Sequence, residues 1–198
     1  MSQLLRVVHQ AAALLLDHPG EDWPERRDRV AEALGRLPGT HIELLRAFCR
    51  STAGVPQLEL SARYVATFDR SRRRTLYLTH YTDGDTRRRG ASLAALKARY
   101  RQHGWEPARG ELPDHLPAML EFAARCPAPG RAVLAEHRGA LDLLARGLDA
   151  YGSGYADVVR AVRATLPAAP PAPVPPQERP APVPYPLPHA RGDEGVRR

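Results

Sequence analysis

The chain has 198 residues, a formal net charge of +7 and 43% hydrophobic residues. That suffices for one packed core, but no run approaches the roughly 20 apolar residues that span a bilayer, so no direct membrane insertion is expected. All but one of the 29 basic residues are arginine, and they are scattered rather than massed, which argues against a nucleic-acid partner.

Helical spacing begins at once. Residues 3–17 place Leu4, Val8, Leu15 and several alanines on one side, and His18-Pro19-Gly20 ends the run. Asp22 and Glu25 flank Trp23-Pro24 in a pattern like a capping box, and the second helix is expected to reach about Leu37. Thr40 and Glu43 form a capping box in sequence, ahead of Ile42, Leu45 and Cys49. A further helix starts near Pro56, with Leu58, Ala62, Val65 and Phe68 at helical spacing.

The stretch from Tyr64 to Ala124 is richer in aromatic, charged and Gly/Pro residues than its neighbours. Gly84-Asp85 breaks the run from Thr75 to Thr82, and Asp85 or Thr86 is placed to cap a new helix. That helix carries Leu93, Leu96 and Tyr100 on one face and stops at Gly104. Its first turn holds Arg87, Arg88 and Arg89, cations that oppose the helix dipole by roughly 0.3–1 kcal/mol each. Either they pair locally with Asp83 and Asp85, or they meet an acidic group on a partner or elsewhere in the fold. Gly90, Ala91 and Ser92 are small enough to admit a second backbone. After a link from Gly104 to Pro113, Asp114 is expected to cap a helix that tolerates Pro117 in its first turn. Leu116, Leu120 and Ala123 line one face of it, with Met119 and Phe122 beside.

Pro127-Ala128-Pro129-Gly130 reads as a break, followed by one helix marked by Val133, Leu141, Leu144 and Leu148. His137 lies on the same face as a core or boundary histidine rather than a ligand. Tyr155, Val158, Val159, Val162 and Leu166 form the last helix. Period-two alternation is nowhere sustained. The expectation is an all-α, compact, single-domain helical bundle over residues 1–166. From Pro167 the composition changes, with eleven of the twenty prolines, and residues 167–198 are expected to form a disordered Pro-rich tail.

Chemistry is scarce. No phosphate-binding glycine loop, H-E-x-x-H or C-x-x-C pair occurs, and Asp83-Gly84-Asp85 lacks the later ligands of a calcium loop. Cys49 and Cys126 make no disulfide framework. The N-terminal run Ala11–Leu16 has no small-residue cleavage site after it, so no signal peptide is read and a cytoplasmic setting follows as the default. An enzyme is therefore not expected, nor a bound metal or permanent cofactor.

Three strings carry a resemblance: Tyr64-Val65-x-x-Phe68-Asp69, Leu76-Tyr77-Leu78-Thr79-His80-Tyr81-x-x-Gly84-Asp85-x-Arg87-x-Arg89-Gly90, and Glu111-Leu112-Pro113-Asp114-His115-Leu116-Pro117-x-x-Leu120-Glu121-Phe122-Ala123-Ala124. They resemble the NarJ-type chaperones that assemble respiratory nitrate reductase and its molybdenum cofactor. Looser similarity runs from Leu4 to about Leu166, and Ser153-Gly154-Tyr155-Ala156 departs from the usual S-P-Y-A. The resemblance implies a non-catalytic, all-helical cytoplasmic protein. It implies binding of the nitrate reductase catalytic (alpha) subunit, through that subunit's N-terminal segment, before membrane attachment. The molybdenum cofactor would belong to the client; the alternative is a molybdopterin carrier or an enzyme acting on that cofactor. Leu76, Tyr77, Tyr81, Leu116, Leu120 and Phe122 are the candidates for the client groove or the core beneath it. Arg89 and His115 are the polar candidates for contact, and Asp85, Gly90 and Asp114 for holding the motif in shape.

Overall fold

A computed structural model describes residues 3–167 of the chain. They fold into ten α-helices: α1 (Gln3–Leu16), α2 (Trp23–Leu34), α3 (Thr40–Thr52), α4 (Gln57–Phe68), α5 (Thr79–Asp83), α6 (Arg87–Gln102), α7 (Leu116–Arg125), α8 (Pro127–Glu136), α9 (Arg138–Tyr151) and α10 (Tyr155–Ala164). A single 3-10 turn, Arg72–Arg74, joins α4 to α5. The described residues contain no named strand, as the sequence periods imply. Apart from Pro167, the expected Pro-rich tail lies outside the described residues.

Helix α7 runs through the middle of the bundle. Eight of its ten residues are buried, including Leu116, Met119, Leu120 and Phe122, and the other two, Glu121 and Arg125, share one narrow polar stripe a turn apart. It packs along α1, whose alanines at 11, 12 and 13 let the two axes come close. Arg6 donates from Nε to the Ala124 carbonyl at 3.0 Å and closes the end of α7. Helix α8 approaches from the other side: a Cβ built on Gly130 would stand 2.3 Å from Ala123 Cα. Beneath α10 an aromatic cluster fills the space between α2, α3 and α4, with Phe48, Tyr64 and Phe68 all within 6 Å of the Tyr155 ring.

Several local expectations are corrected. The α3 capping box does not form: Gly39 occupies the N-cap with φ of 123°, a conformation that L side chains rarely adopt, and Glu43 pairs with Arg46 and Arg50 instead. Helix α2 ends at Leu34, because Gly35 turns the chain with φ of 38°. The buried face of α4 is Leu60, Tyr64 and Phe68; Leu58 is 79% exposed. The expected break falls at Cys126, between α7 and α8, while Pro127 and Pro129 sit in the first turn of α8, where a missing N–H costs nothing. A second break divides the one helix expected after it, at His137, whose Nδ1–H donates to the Val133 carbonyl at 2.9 Å. It is a boundary histidine, as expected.

Candidate functional site

Two of the three motifs lie about 35 residues apart in sequence and meet in space. Tyr77 and His115 form an isolated antiparallel bridge. Leu78 N–H donates to the Asp114 carbonyl at 3.0 Å, and Leu116 N–H donates to the Leu76 carbonyl at 2.9 Å. The two extended segments thereby satisfy each other's backbone groups just before α5 and α7 begin. Leu76, Leu78 and Leu116 point into the core, and the alternation of extended backbone turns Tyr77, which is exposed, and His115, which is half-buried, to the other side.

Asp114 sits beneath this bridge with no solvent exposure. The cap expected of it is not made: His115 occupies the N-cap of α7, without a side-chain bond to the helix. Instead the Asp114 carboxylate accepts the Thr79 hydroxyl at 2.5 Å and Arg89 Nη2 at 3.4 Å. Arg89 Nε also donates to the Thr79 hydroxyl oxygen at 3.3 Å. The unfavourable arginine in the first turn of α6 is thus offset by a carboxylate elsewhere in the fold. The second carboxylate oxygen, Asp114 Oδ1, is buried and accepts no hydrogen bond from the described residues.

Asp85 does not cap α6 either. Thr86 holds the N-cap position, and its hydroxyl donates back to the Asp83 carbonyl. Asp85 gathers Arg72 at 2.9 Å and Arg89 at 4.0 Å, so the 3-10 turn and α6 are tied at one carboxylate. Gly90 faces open space, with no atom within 4 Å of a Cβ built there.

Above Asp114 lies a partly open polar surface. The rings of Tyr77 and His115 lie 5.1 Å apart, tilted by 32°. Arg89 lies over the Tyr77 ring at 5.8 Å. His115 Nδ1–H donates to Glu111 Oε1 at 2.8 Å. Burial, with the nearby Asp114 charge, pushes the Tyr77 phenol above its ordinary range, so it stays a neutral donor. Next to Glu111, a groove of about 450 Å³ runs between α6 and the 106–113 segment, lined by Leu93, Lys97, Pro107, Leu112 and Pro113 among others. Buried Tyr100 anchors the end of that segment, donating its hydroxyl to the Pro113 carbonyl at 2.7 Å.

The candidates therefore separate. Tyr77, Arg89 and His115 come together with Asp85 and Asp114. Leu76, Leu116, Leu120 and Phe122 are buried and form the core beneath. Tyr81 lies apart, its hydroxyl directed at the Arg73 and Thr75 carbonyls. Thr79 and Glu111 belong to the site and were not singled out in the sequence, although both lie inside the motifs. Only the pairing of the two segments shows that they converge. Among the described residues, no group of three His, Cys, Asp or Glu side chains is arranged to hold a metal ion, and no helix is long and apolar enough to cross a membrane.

Comparison with known proteins places these features in a family. The model of the nitrate reductase delta subunit family matches residues 32–160. The chain is 38% identical over 157 residues to the nitrate reductase-like protein NarX of Mycobacterium tuberculosis, covering 79% of this chain but 24% of that protein. It spans about a quarter of that relative's length. A NarJ-named nitrate reductase molybdenum cofactor assembly chaperone of Bacillus subtilis is 32% identical over 163 residues, with 81% of this chain and 89% of that protein covered. NarJ of Escherichia coli, which bears the same chaperone description, is 34% identical over 116 residues, covering 57% and 49%. A crystal structure described as a redox enzyme maturation protein, from Archaeoglobus fulgidus, shares the fold with a TM-score of 0.60 at 20% identity, over 81% of this chain and 92% of that one. With two-thirds of its length matched by one family model, this chain belongs to the nitrate reductase delta subunit family.

Proposed function

We infer that the protein is a dedicated assembly chaperone for respiratory nitrate reductase. It binds the catalytic subunit through that subunit's N-terminal segment, in the cytoplasm. It promotes molybdenum cofactor insertion and complex assembly before membrane attachment, and it performs no catalysis of its own. The cofactor stays with the client throughout. Membership of the family and the chaperone names of its relatives support this reading.

The observation that carries it is the Tyr77–His115 pairing, which folds two distant motifs into one partly exposed surface beside a groove. An amphipathic helix fits such a place, laying apolar side chains along Leu93, Leu112 and Pro113 while its polar edge meets Tyr77, His115 and Glu111. Arg89 and Asp114 then act from below by fixing the bridge that carries the two rings.

The test is calorimetric titration of a peptide copying the N-terminus of the catalytic subunit. Saturable heat with the native chain, lost in Tyr77→Ala and His115→Ala, is the expected result. Equal binding by all three would remove this surface from the client site, and an absence of any saturable signal would remove the peptide.

A further inference from the structure

We propose that a second face, centred on the 3-10 turn Arg72–Arg74, docks the protein onto an anionic lipid surface. The inference does not depend on how the client is held.

The face is assembled from three parts of the chain. Arg72 reaches Asp85 at 2.9 Å, which sets the turn beside the start of α6 with its exposed Arg87 and Arg88. On the other side the turn lies on α9. A Cβ on Gly147 would stand 2.8 Å from the Arg73 carbonyl, and Arg74 stacks over the Tyr151 ring at 3.8 Å. Leu143, Gly147 and Tyr151 follow at spacings of four, so they share one stripe of α9. Tyr81 and Thr82 of α5 border the same depression as Leu143 and Arg146.

The charge on this face is unbalanced. Arg73, Arg87, Arg88 and Arg146 are exposed, and none of their guanidinium groups has a hydrogen-bond or ion-pair partner among the described residues. The neighbouring acids are largely neutralised already: Asp85 by Arg72, Glu136 by Arg99, Asp142 by Arg163 and Asp149 by Arg160. Asp69 and Asp83 remain, against the four free arginines.

Two large apolar side chains stand in the same place. Leu143 is 45% exposed and Tyr151 is 49% exposed. Exposed arginines around a leucine and a tyrosine match the polar–apolar boundary of a bilayer. Guanidinium groups pair with lipid phosphates there, and the amphipathic ring sits at headgroup level. The arginines are long, solvated and spread over three separate elements rather than converging on one point. That fits a delocalised array of phosphates better than one shaped acidic ligand.

The experiment uses the full chain with sedimented vesicles, either of phosphatidylcholine alone or of equal parts phosphatidylcholine and phosphatidylglycerol. Binding to the anionic vesicles alone, weakened by salt, is expected. Each arginine at such a surface is worth roughly five-fold in partition, so replacing Arg72, Arg73, Arg87 and Arg88 by Gln together should lower it about a hundredfold or more. Replacing Arg29, Arg36, Arg50 and Arg125 by Gln removes the same net charge elsewhere and should lower it far less. Leu143→Ser should reduce the binding that persists at high salt. Thermal unfolding confirms that each variant is folded; if the first set unfolds, Arg87→Gln with Arg88→Gln alone, which breaks no pair, gives the decision. Failure to bind anionic vesicles at low salt overturns the proposal. So does equal loss in the two four-residue sets. Capture of polyglutamate without capture of vesicles also overturns it, and assigns the face to an acidic protein.

Discussion

Arg89 reaches across from the first turn of α6 to the fully buried carboxylate of Asp114, with Nη2 and Oδ2 3.4 Å apart. The pair ties α6 to the bridge that carries Tyr77 and His115. Breaking it from either side has different consequences. Arg89→Ala leaves a buried carboxylate with one hydroxyl for company, and should destabilise by roughly 2–4 kcal/mol. Asp114→Asn keeps the shape and the acceptor for Thr79, removes the charge, and should cost less. In the double variant Arg89→Ala with Asp114→Asn part of the loss should return, giving a coupling of about 1–3 kcal/mol in urea unfolding. Additive losses would mean that the pair contributes nothing beyond its separate contacts.

Function should divide along the line of exposure. Tyr77→Ala and His115→Ala remove side chains that lie on the bridge's solvent side, one exposed and one half-buried. They should lower client-peptide affinity more than tenfold while shifting stability by less than about 1 kcal/mol. Leu120→Ala removes a fully buried side chain from α7. It should cost about 2–5 kcal/mol and lower activation of the client only in proportion to the unfolded fraction. Titration calorimetry beside thermal unfolding separates the two classes.

The helices could be read because their apolar spacing is local, as in α9 and α10, where Leu141, Leu144 and Leu148 or Val158, Val159 and Val162 repeat on one face. Asp22 and Thr86 do hold N-cap positions, whereas three other expected caps are not made, for one reason each. Glu43 and Asp85 found arginines, which bind a carboxylate more strongly than a helix end does. Asp114 was drawn inward by a bridge between segments some 35 residues apart. No short window of sequence encodes such a pairing. It shows only as motif residues whose local roles do not account for them, and Arg89, set against its own helix dipole, was the clearest such signal.

Two helix glycines should respond in opposite directions to the same change. In α8, the Cβ of Gly130→Ala would meet Ala123 backbone atoms at 2.3 and 2.7 Å, so α7 and α8 must separate. A cost of about 1–3 kcal/mol or more is expected. Gly90 lies within α6 and faces open space, and Gly90→Ala should stabilise by roughly 0.5–1 kcal/mol by restricting the unfolded chain. If Gly90→Ala stabilises the protein yet weakens the client complex, a partner backbone approaches α6 at that point. Urea unfolding and peptide titration of the same two variants read both effects.

His9 gives the fold an acid limit. Its ring is fully buried on α1, and the Thr165 hydroxyl already donates to the Val162 carbonyl at 2.6 Å. The Thr165 oxygen therefore accepts from His9 Nε2–H at 2.8 Å, which ties α1 to the end of α10 with a neutral imidazole. Burial lowers the His9 pKa from 6.5 to about 4. In the unfolded chain the ring takes up its proton as pH falls through 6.5; in the folded chain it resists until about 4. Between these values the unfolded state binds more protons, so stability must fall with falling pH across that window and level off, as far as His9 is concerned, below it. The loss is on the order of 3 kcal/mol when complete. His9→Gln keeps a donor for Thr165 but cannot be protonated. It should flatten the decline between pH 6.5 and 4, whatever it does to stability at pH 7, and urea unfolding at a series of pH values measures the slope directly. An unchanged slope would mean that other groups set the acid limit.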